Sequence, residues 1–527
     1  MRERSVVLLL IAGFIFFNEL QFILNLLRTP EGKIYLGSVH SAPDYFYYLS
    51  QMAQGRFNLI FSTLNYTAEK MPYFLVGWER VLMGFIFLHL GINVIRAYQL
   101  SLIIFSAILF YLIYRYLSEI YRGSPGKRLL SLFFYLSSTS LPIITVSRGV
   151  IKSGYFNYWY NPGNIAVRLG ATWHHKVGEI AFIGILLSVL KYISKQGKRS
   201  KLLVLISFLS LVLSSINPVH ILLVLLTVFL FLAWEGKVRN IFLLLSITVP
   251  GIIAGYYNVK VFSIPPFNTW APWEANQQVN MNLLTLLKGS GLSVVFAIMG
   301  FWGFLKRSNR AGRMMLILIL VSAFFYFTKI PYYLKLSNAR FWPATVYIGI
   351  AGMATAGVYS TTSLFRKYSR IAFCLLAVIY IPLTIVSYRE QYKEILATKT
   401  DDQFELSYLS EDVYTGFIQA EKISGREDLF LVESPYHWTF PSLTGRKSFF
   451  GYQYFTVEPE IKNREGIAFF TTAGNEERQR ILDKYGIDYV IARSRNGMLN
   501  NFERLEMIYS NEKVSIYKTG AAKKLRI

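Results

Sequence analysis

Cysteine and charge are both scarce in this chain. Its one cysteine, Cys374, excludes an intrachain disulfide and any metal site built from several cysteines. Charged residues make up 16% of the sequence and hydrophobic residues 53%, a balance that argues against a chain of ordinary soluble domains. Walker loops, dinucleotide fingerprints, His-Glu-x-x-His and Gly-x-Ser-x-Gly motifs are also lacking. These absences argue against nucleotide-driven transport, dinucleotide redox chemistry and zinc-protease chemistry.

Long apolar runs recur along the first 390 positions, and each is close to the roughly 20 residues that a helix needs to cross a bilayer. They predict a polytopic α-helical membrane protein with about eleven transmembrane helices. The first run follows a short basic start without a small-residue cleavage site, so we interpret it as an uncleaved span. The predicted spans are 5–27, 97–114, 129–147, 177–194, 202–216, 220–234, 240–257, 284–305, 314–328, 342–360 and 371–387.

The net charge of +24 comes mainly from Lys and Arg in short loops between the apolar runs. Such residues concentrate on the cytoplasmic side of membrane proteins, so they indicate orientation and not nucleic-acid binding. Placing the basic clusters inside requires that 74–93 lie in the interface as a helix without crossing. The N-terminus is then cytoplasmic, and the protein is predicted to be multi-pass in the plasma or inner membrane.

Two domains follow from this topology. Residues 1–390 form the transmembrane domain, in which 28–96 is a first outer loop with interfacial helices. Residues 391–527 form a soluble extracytoplasmic α/β domain, because strand-like runs alternate there with helical stretches. The expected strands are 429–433, 489–492 and 514–517, and the expected helices are near 403–423 and 475–485.

Asp44 is the only aspartate among the first 400 residues, and it follows the first span on the predicted outer face. A helix cap is the structural interpretation, since Asp before a helix-like run commonly caps it. A cap position would also hold the carboxylate at the interface, where it could act as a base.

Other ionisable and aromatic side chains map to the predicted outer ends of the helices. His175 and Glu179 are spaced i, i+4 and could pair or share a ligand, and ionisable groups near membrane depth are often functional. Outer arginines run against the inside bias and suit phosphate, although helix-end cations also snorkel to the interface. Aromatic side chains there fit either an interfacial belt or stacking on sugars. The predicted substrate- and phosphate-binding residues are Arg340, Arg148, Arg168, Lys152, His174, His175, Glu179, Tyr48, Trp159 and His220.

In the order of these features the chain resembles the GT-C superfamily of membrane glycosyltransferases, which use polyprenyl-phosphate sugar donors. The resemblance covers nearly the whole chain. Its parts are Asp44 to Arg56 after the first span, an interfacial helix at Pro72 to Gly91, Arg96 leading a span, a Pro-interrupted hairpin at Pro218, Asn338-Ala339-Arg340 before a late span, and the tail motifs Leu443 to Arg446 and Lys484 to Val490.

The resemblance implies an inverting glycosyltransferase that moves a sugar from a polyprenyl phosphate to an extracytoplasmic acceptor, which could be a glycan, a lipid or a protein. Asp44 would be the general base, and Arg340, with Arg148 or Arg168, would neutralise the leaving phosphate. The chain departs from the family in two ways: Tyr45 replaces the Glu of the common Asp-Glu pair, and 148–176 contain no acid. No cofactor is therefore expected, and a divalent metal stays an alternative. The alternative functions are a transporter or flippase for lipid-linked saccharides and a non-catalytic glycan-binding protein.

Overall fold

The computed structural model describes residues 3–38, 42–147, 150–155, 165, 169, 172–279, 282–395, 405–494, 497–499 and 502–520. These residues are mostly helical and belong to two compact units. The first unit comprises Met1–Gln21, Leu102–Lys260 and Ala271–Ala397. The second comprises Phe22–Ser101, Val261–Trp270 and Thr398–Ile527. The predicted division into 1–390 and 391–527, with its assignment to membrane and outer face, stays a prediction.

The first unit is a helical bundle whose apolar core includes Phe182, Phe231, Met315 and Tyr347. Four helices have residues assigned to both units, namely Glu3–Leu27, Val94–Ile120, Ile241–Val261 and Trp270–Asn276. The described helices that belong wholly to the first unit are Pro125–Leu136, Trp173–Ile193, Arg199–Ile216, Pro218–Trp234, Leu283–Ser290, Leu292–Arg307, Arg310–Tyr326, Ile330–Tyr333, Val346–Leu364 and Ser369–Ile395. Short 3-10 turns cover Asn338–Phe341 and Arg366–Tyr368.

Glycines allow two of these helices to touch. A Cβ atom at Gly357 would lie 2.1 Å from the carbonyl oxygen of Phe296, and one at Gly300 would lie 2.0 Å from that of Met353. Helices Leu292–Arg307 and Val346–Leu364 therefore pack backbone against backbone, as small residues permit in membrane bundles.

Within the described part of the chain, five helices are long and apolar enough to cross a membrane, namely Glu3–Leu27, Val94–Ile120, Arg199–Ile216, Ile241–Val261 and Ser369–Glu390. A sixth span results if Leu283–Ser290 and Leu292–Arg307 count as one, although the chain bends by 110° between them. The predicted span 284–305 is therefore wrong as one continuous helix. Gly291 stands at that bend with a φ of 68°, a left-handed value that favours glycine. The number of eleven spans and the orientation stay predictions.

The prediction of one continuous helix over 129–147 is wrong. A helix covers Pro125–Leu136, and strands Pro142–Ser147 and Val150–Tyr155 then form an antiparallel hairpin. At 1.5 Å per residue the helix is only about 18 Å long, less than the ~30 Å hydrocarbon core. The local sequence accounts for the change, because serines and Pro142 end the helix and the β-branched run Ile143 to Val146 favours a strand.

The second unit contains a mixed five-stranded sheet. In spatial order its strands are Lys447–Ser448, Leu429–Val432, Tyr489–Arg493, Val514–Thr519 and Leu505–Ser510. The first three are parallel and the last two add antiparallel. Around the sheet lie helices Glu411–Ile423, Tyr436–Thr444, Pro459–Thr471 and Asn475–Tyr485. The sequence prediction of three of these strands and of the helix at 475–485 is confirmed.

The first-loop helices Ala42–Ala53 and Trp78–His89 also belong to the second unit, with the 3-10 turn Gln54–Arg56. A Cβ atom at Gly84 would lie 1.9 Å from the carbonyl oxygen of Met52, so glycine is required where these two helices meet. Strand Lys33–Tyr35 pairs antiparallel with Tyr408–Ser410. The strand pairing joins the first loop to the C-terminal part of the chain.

Candidate active site

Asp44 lies in the first turn of helix Ala42–Ala53 and is half-buried. The neighbouring side chains Tyr45, Phe46 and Tyr47 are buried and fix the rotation of the helix. Tyr48, one turn further on, is also half-buried and therefore shares a face with Asp44. The fold of this helix thus leaves the carboxylate partly open to solvent while its neighbours anchor it.

The Asp44 carboxylate has a partner from the C-terminal part of the same unit. The hydroxyl of Tyr452 donates a hydrogen bond to its Oδ1 over 3.0 Å. Burial, together with the negative charge of Asp44, raises the pKa of Tyr452 well above its usual value. Tyr452 therefore stays protonated at neutral pH and remains a donor that orients the carboxylate.

Aromatic rings surround this hydrogen bond. The ring of Tyr47 stacks on Phe455 at 3.5 Å between centroids. Tyr452 and Trp270 each meet Phe455 with centroids 5.3 Å apart. Tyr47 and Phe455 are buried, so their stacked rings form a packed support for Tyr452, while Tyr452 and Trp270 are only half-buried.

Tyr48, predicted from the sequence, has a cation beneath its ring. The guanidinium carbon of Arg80 lies 4.6 Å from the ring centroid, within cation–π range. Arg80 also forms an ion pair with its neighbour Glu79, Nε to Oε1 at 3.1 Å, and both side chains are almost fully buried. The Arg80 side chain therefore restricts the orientation of the Tyr48 ring.

Arg340, which the sequence analysis assigns to the leaving phosphate, forms an ion pair within the protein, and its phosphate role stays a prediction. Its Nε and Nη2 donate to the two carboxylate oxygens of Glu274 at 2.8 and 3.0 Å. Burial raises the pKa of Glu274, but the Arg340 charge outweighs it and holds the pKa below its usual value. The partner lies 66 residues upstream, so spacing along the sequence did not indicate it. Asp44 and Arg340 belong to different units.

Glu179 is buried in the first unit at the start of helix Val346–Leu364. Its carboxylate accepts hydrogen bonds from the backbone N–H groups of Ala344 and Thr345 at 3.0 and 2.9 Å, and a short one from the Thr345 hydroxyl. A carboxylate at a helix N-terminus satisfies free donors and complements the helix dipole. These contacts define a structural cap.

The histidines of the same unit lie at helix starts. His174 and His175 stand in the first turn of Trp173–Ile193, with ring centroids 4.3 Å apart. His220 is buried, and its Nε2 lies 3.2 Å from Asn217 Nδ2. Pro218 begins helix Pro218–Trp234 directly after Arg199–Ile216, so the predicted Pro-interrupted hairpin is confirmed.

Four other predicted residues fall partly or wholly outside the described part of the chain. Arg148, Trp159 and Arg168 lie outside it, and for Lys152 only the backbone is described, in strand Val150–Tyr155. Their roles stay predictions.

A divalent cation is usually held by several oxygen or nitrogen ligands. Among the described residues, no group of three or more His, Cys, Asp or Glu side chains is placed to hold one. No step is therefore assigned to a metal, and the predicted lack of a cofactor stays a prediction.

Sequence reasoning missed Tyr452, Phe455 and Arg80. Tyr452 is 408 residues from Asp44, and no local spacing joins them. The one signal was the density of aromatic residues in Gly451 to Phe455, which also suits a buried turn.

No protein-family model and no curated protein matches the chain. Solved structures do resemble it. An oligosaccharyltransferase of Archaeoglobus fulgidus, tethered to an acceptor peptide, has a TM-score of 0.53 at 12% identity, over 92% of this chain and 69% of its own. The oligosaccharyltransferase AglB of that organism, in complex with an inhibitory peptide and a dolichol-phosphate, has a TM-score of 0.50, also at 12% identity, with the same 92% and 69% coverage.

A third structure, ArnT of Cupriavidus metallidurans bound to undecaprenyl phosphate, has a TM-score of 0.44 at 11% identity, over 96% of this chain and 98% of its own. The two oligosaccharyltransferase structures show that the chain shares their fold. The resemblance predicted from the sequence is confirmed at the level of the fold.

Proposed function

We propose that the protein is an inverting glycosyltransferase that moves a sugar from a polyprenyl-phosphate donor to an extracytoplasmic acceptor. The observation that carries the proposal is the half-buried Asp44 carboxylate, oriented by Tyr452 within an aromatic cluster, in a chain with the GT-C fold. One of the similar structures holds a dolichol-phosphate and another an acceptor peptide, which supports a lipid-phosphate donor.

In the proposed reaction, Asp44 takes the proton of an acceptor hydroxyl as its oxygen attacks the anomeric carbon. The new glycosidic bond forms as the bond from that carbon to the phosphate oxygen breaks, and the polyprenyl phosphate leaves with the electron pair. A single base suffices for this displacement, because no protein nucleophile is needed. Inversion follows from attack opposite the leaving group.

The aromatic side chains have a complementary role in this proposal. The Tyr48 ring shares a helix face with Asp44, so a sugar or acceptor resting on it would place a hydroxyl near the carboxylate. Among the predicted phosphate ligands, Arg340 has its charge balanced by Glu274. Its proposed role is therefore to hold the loop before Val346–Leu364, with phosphate binding secondary.

The test is transfer of sugar from a polyprenyl-phosphate sugar by purified wild type and Asp44→Asn protein. Asn keeps the shape and the capping ability of Asp but cannot take a proton, so we expect a loss of at least ~100-fold, the low end for a general base. Asp44→Glu should keep partial activity because it retains a carboxylate. Normal transfer by Asp44→Asn would place the base elsewhere, and no turnover by wild type would favour the transporter or binding alternatives.

A further inference from the structure

A cavity in the first unit has no place in the proposed reaction. Its volume is about 870 Å³, and three helices line it, Glu3–Leu27, Pro125–Leu136 and Ser369–Ile395. The first helix contributes a stripe that begins at Leu9 and ends at Leu20. At 1.5 Å per residue this stripe is about 17 Å long, which is close to half of the ~30 Å hydrocarbon core and so matches one leaflet.

The walls are almost wholly apolar. Phe14, Phe17 and Phe133 line the cavity together with leucines and Ile385. The cavity opens on the surface of the bundle, since Leu9 and Ile385 on its walls are 62% and 59% exposed. Left empty, an apolar groove of this size would lack the dispersion contacts that close packing supplies. Since two of the three lining helices, Glu3–Leu27 and Ser369–Ile395, are apolar enough to cross a bilayer, hydrocarbon chains are the natural filling.

The polar lining residues Ser137, Tyr388 and Arg389 collect at one end. The ring of Tyr388 meets Phe17 with centroids 5.2 Å apart, and its hydroxyl donates to the carbonyl oxygen of Leu136 at 3.4 Å. Arg389 follows on the last turns of the helix and is exposed. The cavity is therefore apolar along most of its length and polar at one end, which matches the acyl chains and the headgroup of a lipid.

Arg389 is the one cation among the described residues that line the cavity. No ion pair joins it to an acidic side chain in the described part of the chain. The adjacent Glu390 is buried and does not line the cavity. Arginine binds phosphate bidentately, and one positive charge matches the single negative charge of a phosphodiester.

We infer that this cavity binds an anionic glycerophospholipid of the surrounding bilayer, with its acyl chains between the three helices and its phosphate on Arg389. All of the lining residues belong to the first unit and Asp44 belongs to the second, and the stripe of about 17 Å suits acyl chains that fill one leaflet. A bound lipid would join the first and last helices of the membrane part, and its loss should loosen them.

Gly13 allows the cavity to be filled deliberately. It lines the cavity, and a Cβ atom there would meet nothing within 4 Å. Gly13→Phe should therefore fold and occupy the space of the acyl chains. Leu8→Phe is the matched control, since Leu8 is on the same helix, is 65% exposed and is not a lining residue.

The experiment is native mass spectrometry of the purified full chain, supplied in detergent with phosphatidylglycerol, phosphatidylcholine or a polyprenyl phosphate. We expect wild type and Leu8→Phe to retain one phosphatidylglycerol and Gly13→Phe to retain none. Arg389→Gln should weaken phosphatidylglycerol about tenfold, as expected for one charge-assisted hydrogen bond. Arg370→Gln, at the opposite end of the same helix, should not.

Three results would overturn the inference: no phospholipid retained by wild type, equal retention by Gly13→Phe and wild type, or preference for the polyprenyl phosphate over phosphatidylglycerol. Sugar transfer is measured in the same preparations to separate this site from the proposed active site. The transfer should depend on Asp44 and should be unaffected by Gly13→Phe.

Discussion

The hydroxyl of Tyr452 donates to Oδ1 of Asp44 over 3.0 Å, which joins the first loop to the C-terminal part of the same compact unit. Asp44 stands in the first turn of its helix and Tyr452 precedes the 3-10 turn Gln453–Phe455. The bond gives the carboxylate a fixed direction while leaving it half-buried. A base aimed in this way needs less reorganisation when it takes a proton.

Replacing Tyr452 with Phe should lower kcat about tenfold while leaving KM for the donor nearly unchanged, since a hydrogen bond to a charged group contributes about 1.5–3 kcal/mol. Steady-state kinetics with varied donor concentration separate kcat from KM. Tyr454→Phe, two positions away, is the control and should leave kcat unchanged. An unchanged kcat in Tyr452→Phe would mean that this hydroxyl only packs the turn.

Arg340 and Glu274 should behave as one structural pair. Arg340→Ala leaves the buried Glu274 carboxylate unpaired and should destabilise the protein by about 2 kcal/mol, less than the 3–5 kcal/mol of a fully buried pair because the Arg340 side chain is 26% exposed. The double variant Arg340→Gln with Glu274→Gln should recover much of this loss. Thermal unfolding in detergent of wild type, the single variants and the double variant measures the coupling energy between the two side chains. A phosphate ligand would instead show normal stability and roughly a hundredfold slower transfer in Arg340→Lys.

His437 should make stability pH-dependent. Burial lowers its pKa to about 3, whereas in the unfolded chain it is about 6.5. Between pH 3 and pH 6.5 the His437 side chain is protonated in the unfolded chain but not in the folded protein. The free energy of unfolding is therefore highest above about pH 6.5 and decreases as the pH falls. The loss should approach ~1.4 kcal/mol per pH unit.

Unfolding measured at pH 7.5 and 5 checks the effect of His437. His437→Phe should remove this component while preserving the stacking on Phe450, whose ring centroid lies 4.5 Å away. An equal pH dependence in wild type and His437→Phe would assign the effect to other groups.

Cysteine labelling should test the predicted orientation. Cys374 is exposed and is first replaced by Ser. A cysteine at Ser263, which follows helix Ile241–Val261, should then react with an impermeant thiol reagent from outside intact cells. One at Ser308, which follows Leu292–Arg307, should react only after permeabilisation. The reverse pattern would invert every predicted loop.

Local elements with strong patterns were predictable from the sequence. Apolar runs and the break at Pro218 gave helices near their observed ends, because helix formation in these runs depends on neighbouring residues and on Pro lacking an N–H. The run 129–147 failed because hydropathy alone does not distinguish a helix from a strand, and Ser137 to Ile144 carried the turn and strand signals.

The predicted site residues divide in the same way. Asp44 was identified by its rarity among the first 400 residues, a property that needs no structure. Glu179 and Arg340 were chosen for their residue type, and the structure gives each of them distant partners that the type could not indicate, the N-terminus of Val346–Leu364 and Glu274.

The sequence by itself determined that the chain has helices able to lie in a membrane, that it resembles GT-C proteins, and that Asp44 stands apart, since composition, periodicity and rarity are read from the residues in order. Only the tertiary structure decided which side chains share a neighbourhood. Tyr452 reaches Asp44 across 408 positions, and Leu9, Phe133 and Arg389 line one cavity, because packing depends on the spatial arrangement of helices, and no spacing along the chain encodes those distances.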